Sequence, residues 1–118
     1  MPHSDGQQRL APRIVTEDVP GLVTFLKTVF LAWGELERDP RLPTRLHIGS
    51  SRLMVSQVGQ FRAMPAFLGV TVTDFEATYA RAVEAGARTL EGPFWTPFGH
   101  RRAFIEDRWG NIWVIQNG

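Results

Sequence analysis

Few residues in this sequence have side chains suited to nucleophilic, acid–base or metal chemistry. The chain has 118 residues, three histidines and no cysteine, which excludes disulfides, thiolate catalysis and zinc–thiolate sites. His3 falls in a polar N-terminal stretch, His47 in a strand-like run and His100 in a loop. A metal bound by His47 and His100 would need a third donor near both. We therefore predict no metal and no cofactor.

The serines and carboxylates near these histidines give weak indications of catalysis. Ser50 and Ser51 follow His47 in a hairpin signal, where serine is a common turn residue. Glu106 and Asp107 stand together before a glycine, and we interpret the pair as part of a turn. We therefore predict no catalytic residue.

The arginine pair Arg101 and Arg102 has two open interpretations. Neighbouring strand residues point to opposite faces of a sheet, so Arg102 is expected either to reach a pocket or to stay at its rim, paired with Glu106. A guanidinium in a pocket favours an anionic or carbonyl-bearing ligand.

Aromatic side chains are the unusual feature, and they concentrate in the second half of the chain. We expect Trp113 to lie in the core, and Phe67, Trp95 and Phe98 to border a pocket where a planar molecule stacks. Packing of the same rings across a homodimer interface is an equal alternative. The set comprises Phe67, Phe94, Trp95, Phe98, Trp109 and Trp113.

Charge and hydropathy exclude several classes of partner. The formal net charge is +1, so no electrostatic footprint for nucleic acid or an anionic membrane is expected. No apolar run approaches the length of a membrane span, and the polar N-terminus has no signal-peptide pattern. We predict a cytoplasmic protein.

A repeated strand–helix pattern supplies the elements that position these residues. The run 13–18 and the run 69–74 are both strand-like and end in a helix N-cap candidate, Asp18 or Asp74. The first helix carries an apolar stripe, and Gly86 is placed to end the second helix in a left-handed conformation. The stripe comprises Leu22, Phe25, Leu26, Val29, Phe30 and Trp33.

Strand-like runs follow each helix, and together they predict an α+β fold. A weak run at 34–37 precedes a hairpin of 45–48 and 52–56, while 88–90, 102–106 and 111–115 follow the second helix. The order is βαβββ twice, with two helices on one face of a mostly antiparallel sheet. We predict a single domain over 1–118, with one module at about 10–57, another at about 66–117, and a flexible tail at 1–9.

The second half resembles the glyoxalase/bleomycin-resistance/extradiol dioxygenase (vicinal oxygen chelate) superfamily. The resemblance rests on the runs 69–74, 84–87, 97–101 and 106–113, and it extends more weakly over 10–117. Arg108 replaces the usual proline and His100 the usual acidic residue. The resemblance implies a curved sheet whose concave face forms a ligand cavity, often completed by a second subunit.

The resemblance also locates four metal-ligand positions, and in this sequence all four are apolar. Aligning the helix starts places them at Ala11, Met54, Phe67 and Val114. None is a ligand for a hard cation. A shift of one residue in register supplies no better donors, so the resemblance implies the fold without its metal site.

We therefore predict a metal-free protein that sequesters a planar or aromatic organic ligand, such as an antibiotic, and forms a homodimer. The alternatives are a lyase, isomerase or dioxygenase acting on a small carbonyl or aromatic substrate, and an accessory module for protein contact. A metal-free enzyme would use Arg13, His47, His100 or Arg102. The predicted ligand-binding residues are Arg13, His47, Met54, Phe67, Trp95, Phe98, His100, Arg102 and Val114.

Overall fold

The computed structural model describes residues 8–118 and contains two helices and seven strands. The strands form two sheets, with the orders β1-β3-β2 and β4-β7-β6-β5. The α+β prediction with two modules is thus confirmed, while His3 lies outside the described residues. The elements are β1 (Arg13–Thr16), α1 (Val19–Phe30), β2 (Thr44–Ile48), β3 (Ser51–Gln57), β4 (Phe67–Val72), α2 (Phe75–Glu84), β5 (Arg88–Trp95), β6 (Arg101–Glu106) and β7 (Ile112–Asn117).

The helices start where the sequence predicts. The Asp18 carboxylate accepts a hydrogen bond from the Gly21 N–H (3.0 Å), and that of Asp74 accepts one from the Ala77 N–H (3.1 Å). Both bonds satisfy first-turn donors that have no partner within the helix. After α2, Gly86 has φ +100°, a conformation that glycine adopts without steric cost. α1 ends at Phe30, so Trp33, which was predicted to belong to the helical stripe, lies beyond the helix.

The core lies between the helices and one face of each sheet. Ile14, Leu46 and Val55 of the first sheet and Ile105 and Ile115 of the second are fully buried beneath the helices. Because strand residues alternate in direction, their neighbours point away from the helices. Trp113 is 1% exposed and belongs to this core, as predicted.

The weak strand predicted at 34–37 does not form. In its place Trp33 makes a single antiparallel bridge with His47, through two backbone hydrogen bonds of 2.9 Å. Gly34 has φ +139°, outside the range of an extended strand, and the Glu37 N–H bonds to the Thr44 side chain instead of to a backbone carbonyl. The first module is therefore one strand shorter than the second.

The two modules share one hydrophobic core and two polar contacts. The indole N–H of Trp109 donates to the Asp18 carboxylate at 3.1 Å, and the Arg81 guanidinium donates to the Val29 carbonyl at 3.0 Å. A cation at the C-terminal end of a helix is also favoured by the helix dipole. Both ends of α1 are thereby bonded to the second module. Neither described helix is long and apolar enough to cross a membrane.

The molecule is thin in one direction, with principal extents of 44 × 41 × 22 Å. Sheets and helices pack about 10 Å apart, so this thickness corresponds to one helix layer on one sheet layer. Within residues 8–118, no second layer covers the sheet face opposite the helices, which is called the open face below. That face carries most of the residues predicted to bind a ligand.

Candidate functional site

Phenylalanines cover the open face of the second sheet. The Phe104 ring stacks with Phe94 (centroids 6.4 Å apart, planes 6° apart) and meets Phe67 edge-on at 6.4 Å. Val114 pairs with Phe104 across β6 and β7, so it lies on the same face. Phe67 is 64% exposed although it is a large apolar residue. Phe67, Phe94, Phe104 and Val114 together are called the phenylalanine face.

Charged groups stand at both ends of the phenylalanine face. The Arg102 guanidinium donates to the side-chain amide oxygen of Gln116, and the distance from Nε to Oε1 is 2.7 Å. At the other end Arg88 forms an ion pair with Glu106. Arg102 therefore lies on the predicted face, but it is bonded to Gln116 and not to Glu106. Aromatic side chains around one fixed polar group, here Arg102, are typical of a site that holds a mostly apolar ligand.

The open face of the first sheet is basic. Arg13 pairs with Met54 between β1 and β3, with its Nη2 3.6 Å from the Met54 sulfur. His47 pairs with Arg52 across β2 and β3, and its ring stacks on Trp33 with centroids 4.4 Å apart. The His47 Nδ1 is buried and has no hydrogen-bond partner among the described residues. The predicted residues Arg13, His47 and Met54 are thus together on one face.

Three predicted residues lie elsewhere. Trp95 pairs with Arg101 and not with Arg102, so it points to the helix side of the sheet, where the Arg101 guanidinium lies 5.4 Å from its ring centroid. Phe98 is at the tip of the β5–β6 turn and is 87% exposed. His100 closes the same turn, where its N–H donates to the Thr96 hydroxyl. These side chains do not join the phenylalanine face.

Phe94 and Phe104 were not among the predicted ligand-binding residues, although they form the centre of the face. Phe104 lies between the core residues Ala103 and Ile105, so strand alternation alone indicates that it points away from the helices. The position of Phe94 had no such signal, because the pairing of β5 with β6 shifts in register before it.

The donor chemistry of the four family metal positions does not fit a metal. Met54, Phe67 and Val114 provide no oxygen or nitrogen ligand, and neither does Ala11. Within residues 8–118 there is no cluster of three or more His, Asp or Glu side chains placed to hold an ion. The aromatic and apolar residues of this site offer stacking and burial, and its arginines offer hydrogen bonds.

A cavity of about 610 Å³ lies between the two modules. Leu68, Gly69 and Thr71 of β4 border it on one side, and the segment 8–12 with Arg52 borders it on the other. Gln8 and Arg9, placed in the predicted flexible tail, thus contribute to its wall. A volume of this size is within the range of small-molecule pockets.

The match of a family model agrees with this architecture. Residues 13–115 match the model of the Glyoxalase/Bleomycin resistance protein/Dioxygenase superfamily. The chain belongs to this superfamily, as the resemblance of its sequence motifs predicts.

Solved structures with the same fold are distant in sequence. TioX from Micromonospora sp. ML1 is 21% identical and superposes with a TM-score of 0.76, over 94% of this chain and 96% of that one. A glyoxalase/bleomycin resistance protein/dioxygenase family enzyme from Burkholderia phytofirmans PsJN is 19% identical (TM-score 0.73, 91% and 95%). The fosfomycin resistance protein FosX from Mesorhizobium loti is 16% identical (0.69, 95% and 92%). A search of curated proteins gave no match.

Proposed function

We propose that this protein binds and sequesters a planar, mostly apolar organic molecule, such as an antibiotic, without a metal. The observation that carries the proposal is the phenylalanine face, where three rings are grouped on a sheet surface that no layer built from residues 8–118 covers. Flat ligands stack well on such rings. Sequestration needs burial and no bond-making step, so it is compatible with apolar residues at all four metal positions.

A dimer interface at the phenylalanine face would support ligand binding there. An exposed group of large apolar side chains is unfavourable in water and marks a surface that binds something. A second copy placed over the open face would enclose a ligand and would bury Phe67. We therefore propose a homodimer with the ligand between sheet faces.

Titration with a neutral planar probe tests binding. N-phenylnaphthylamine fluoresces more strongly in apolar surroundings, and its emission is expected to rise and saturate with wild-type protein. The variant Phe67→Ser/Phe104→Ser removes one exposed and one half-buried ring of the phenylalanine face. It is expected to weaken binding by about tenfold or more, because each aromatic contact contributes about 0.5–1.5 kcal/mol beyond its buried area.

Phe61→Ser is the matched control, since Phe61 is also an exposed phenylalanine but lies in the segment between the modules. It is expected to bind the probe as the wild type does. Planar antibiotics that displace the probe then identify the ligand class. Absence of saturable binding, or equal loss in the Phe61 variant, would contradict the proposal.

A further inference from the structure

The open face of the first sheet has a positive charge that nothing in the proposed stacking function uses. Arg13 and Arg52 are exposed and lie on either side of Met54, Arg13 on β1 and Arg52 two residues earlier on β3. His47 pairs with Arg52 on the same face. In residues 8–118 no carboxylate is within ion-pair distance of either arginine.

Arg45 extends the same face, but two carboxylates are among its neighbours. It pairs with Met54 on β3, and it shares a surface depression with Glu35 and Glu37. Like charges gathered on one sheet face are unfavourable, so a bound anion would relieve this repulsion.

The basic face and the phenylalanine face are adjacent in one chain. Met64 bridges Val15 in an antiparallel sense, so the chain from Met64 to Phe67 runs in the direction that leads back toward the beginning of β1. The cavity between the modules also has Arg52 on one wall and Gly69 and Thr71 of β4 on the other. A ligand in this cavity lies against Arg52 on one side and against β4, the strand that begins at Phe67, on the other.

We infer that the ligand is an aromatic anion, whose carboxylate, sulfonate or phenolate group binds Arg13 and Arg52 while its rings pack on the phenylalanine face. This inference rests on the proposed function, since it names the chemical class that the same site accepts. Guanidinium groups suit this role because they remain charged and offer several donors to one oxyanion. Arg52 lines the cavity between the modules, and Arg13 lies beside Met54 on the same sheet face.

Two probes with the same ring system test the inference. Anilinonaphthalenesulfonate carries a sulfonate, and N-phenylnaphthylamine is its uncharged counterpart. We expect the wild type to bind the anionic probe about tenfold more tightly, which corresponds to one or two charge-assisted hydrogen bonds to an exposed site. We expect added salt to weaken only the anionic probe, because salt screens charge interactions.

The double variant Arg13→Gln/Arg52→Gln locates the charge. It is expected to weaken the anionic probe by about tenfold and to leave the neutral probe within about twofold. Arg38→Gln/Arg41→Gln removes the same net charge from an exposed loop of the first module, and it is expected to change neither probe. All four arginines are exposed, so folding is expected to be retained, and circular dichroism checks this.

Each result separates the two proposals. Equal affinity of the two probes for wild type, or equal losses in the two double variants, would overturn the anionic ligand and leave the stacking function standing. Failure of both probes to bind would overturn both. Selective loss of the anionic probe in Arg13→Gln/Arg52→Gln alone supports the inference.

Discussion

At the scale of single residues, the Asp107 carboxylate links several parts of the second module through hydrogen bonds. Its buried carboxylate accepts hydrogen bonds from the backbone N–H groups of Trp109 and Asn111, both at 2.9 Å. It also accepts from the Asn111 amide (2.9 Å) and from the Trp113 indole (2.8 Å). The Asn111 side chain in turn accepts from the Ala66 N–H at the entrance to β4. One carboxylate thus connects a turn, a core ring and the neighbouring strand.

Asp107→Ala is expected to destabilise the protein by about 3 kcal/mol or more, because several buried donors lose their acceptor at once. The free energy of unfolding from urea denaturation measures the effect. Glu17→Ala removes an exposed carboxylate and is expected to change stability by less than about 0.5 kcal/mol. Similar stabilities of the two variants would contradict the role given to Asp107.

The sequence predicts the local part of this arrangement and not its tertiary part. Asp107 as a turn residue and Gly110 at positive φ follow from the turn pattern alone, and the structure has φ +86° at Gly110. The bond from the Trp113 indole joins two side chains that both point inward, so it depends on how the hairpin packs. Strand alternation predicts the direction of the Phe104 side chain, but it does not predict that of Phe94.

At the scale of elements, Gly34 decides how the first module ends its sheet. A Cβ at this position would lie 2.4 Å from the Arg45 carbonyl oxygen, and φ is +139°. Only glycine allows the chain to pass so close to β2 while Trp33 bridges His47. The predicted strand at 34–37 is absent because this conformation interrupts it.

Gly34→Ala is therefore expected to destabilise the protein by about 2 kcal/mol or more, since both sterics and backbone conformation oppose a side chain. Gly59→Ala is the matched control, because a Cβ there has no atom within 4 Å. Thermal unfolding compares the two variants. A loss in Gly59→Ala as large as that in Gly34→Ala would contradict this explanation.

The starts of the helices could be predicted from the sequence, but the contacts between the modules could not. Asp18 and Asp74 act through the first turn of their own helices, so the sequence pattern contains the whole interaction. The contacts that join the modules, Trp109 to Asp18 and Arg81 to Val29, link positions far apart in the chain. No local pattern contains them.

At the scale of the whole molecule, the uncovered open face predicts self-association. A layer 22 Å thick with Phe67 64% exposed leaves an apolar surface in water. We expect light scattering to give the mass of a dimer, and Phe67→Ser to shift the protein toward monomer because the interface loses a large apolar side chain. A wild-type protein that stays monomeric at high concentration would contradict the proposed dimer.

The motif order was sufficient to predict the fold of the molecule, and the helix starts fixed which residues occupy the metal positions. The extent of the basic face was not predicted. Only the strand pairing shows that Arg45 and Arg52 lie on the same face as Met54. The direction of the Trp95 side chain was not predicted either, since the register of β5 sets it.

The most direct test of the central claim, metal-free binding of a planar ligand, is the affinity for N-phenylnaphthylamine measured before and after exhaustive chelation. The same titration is then repeated with added zinc, nickel, manganese or iron(II). We predict one unchanged dissociation constant throughout, because the rings and apolar side chains of the phenylalanine face need no ion. Loss of binding on chelation, with recovery on adding one of these metals, would contradict the account.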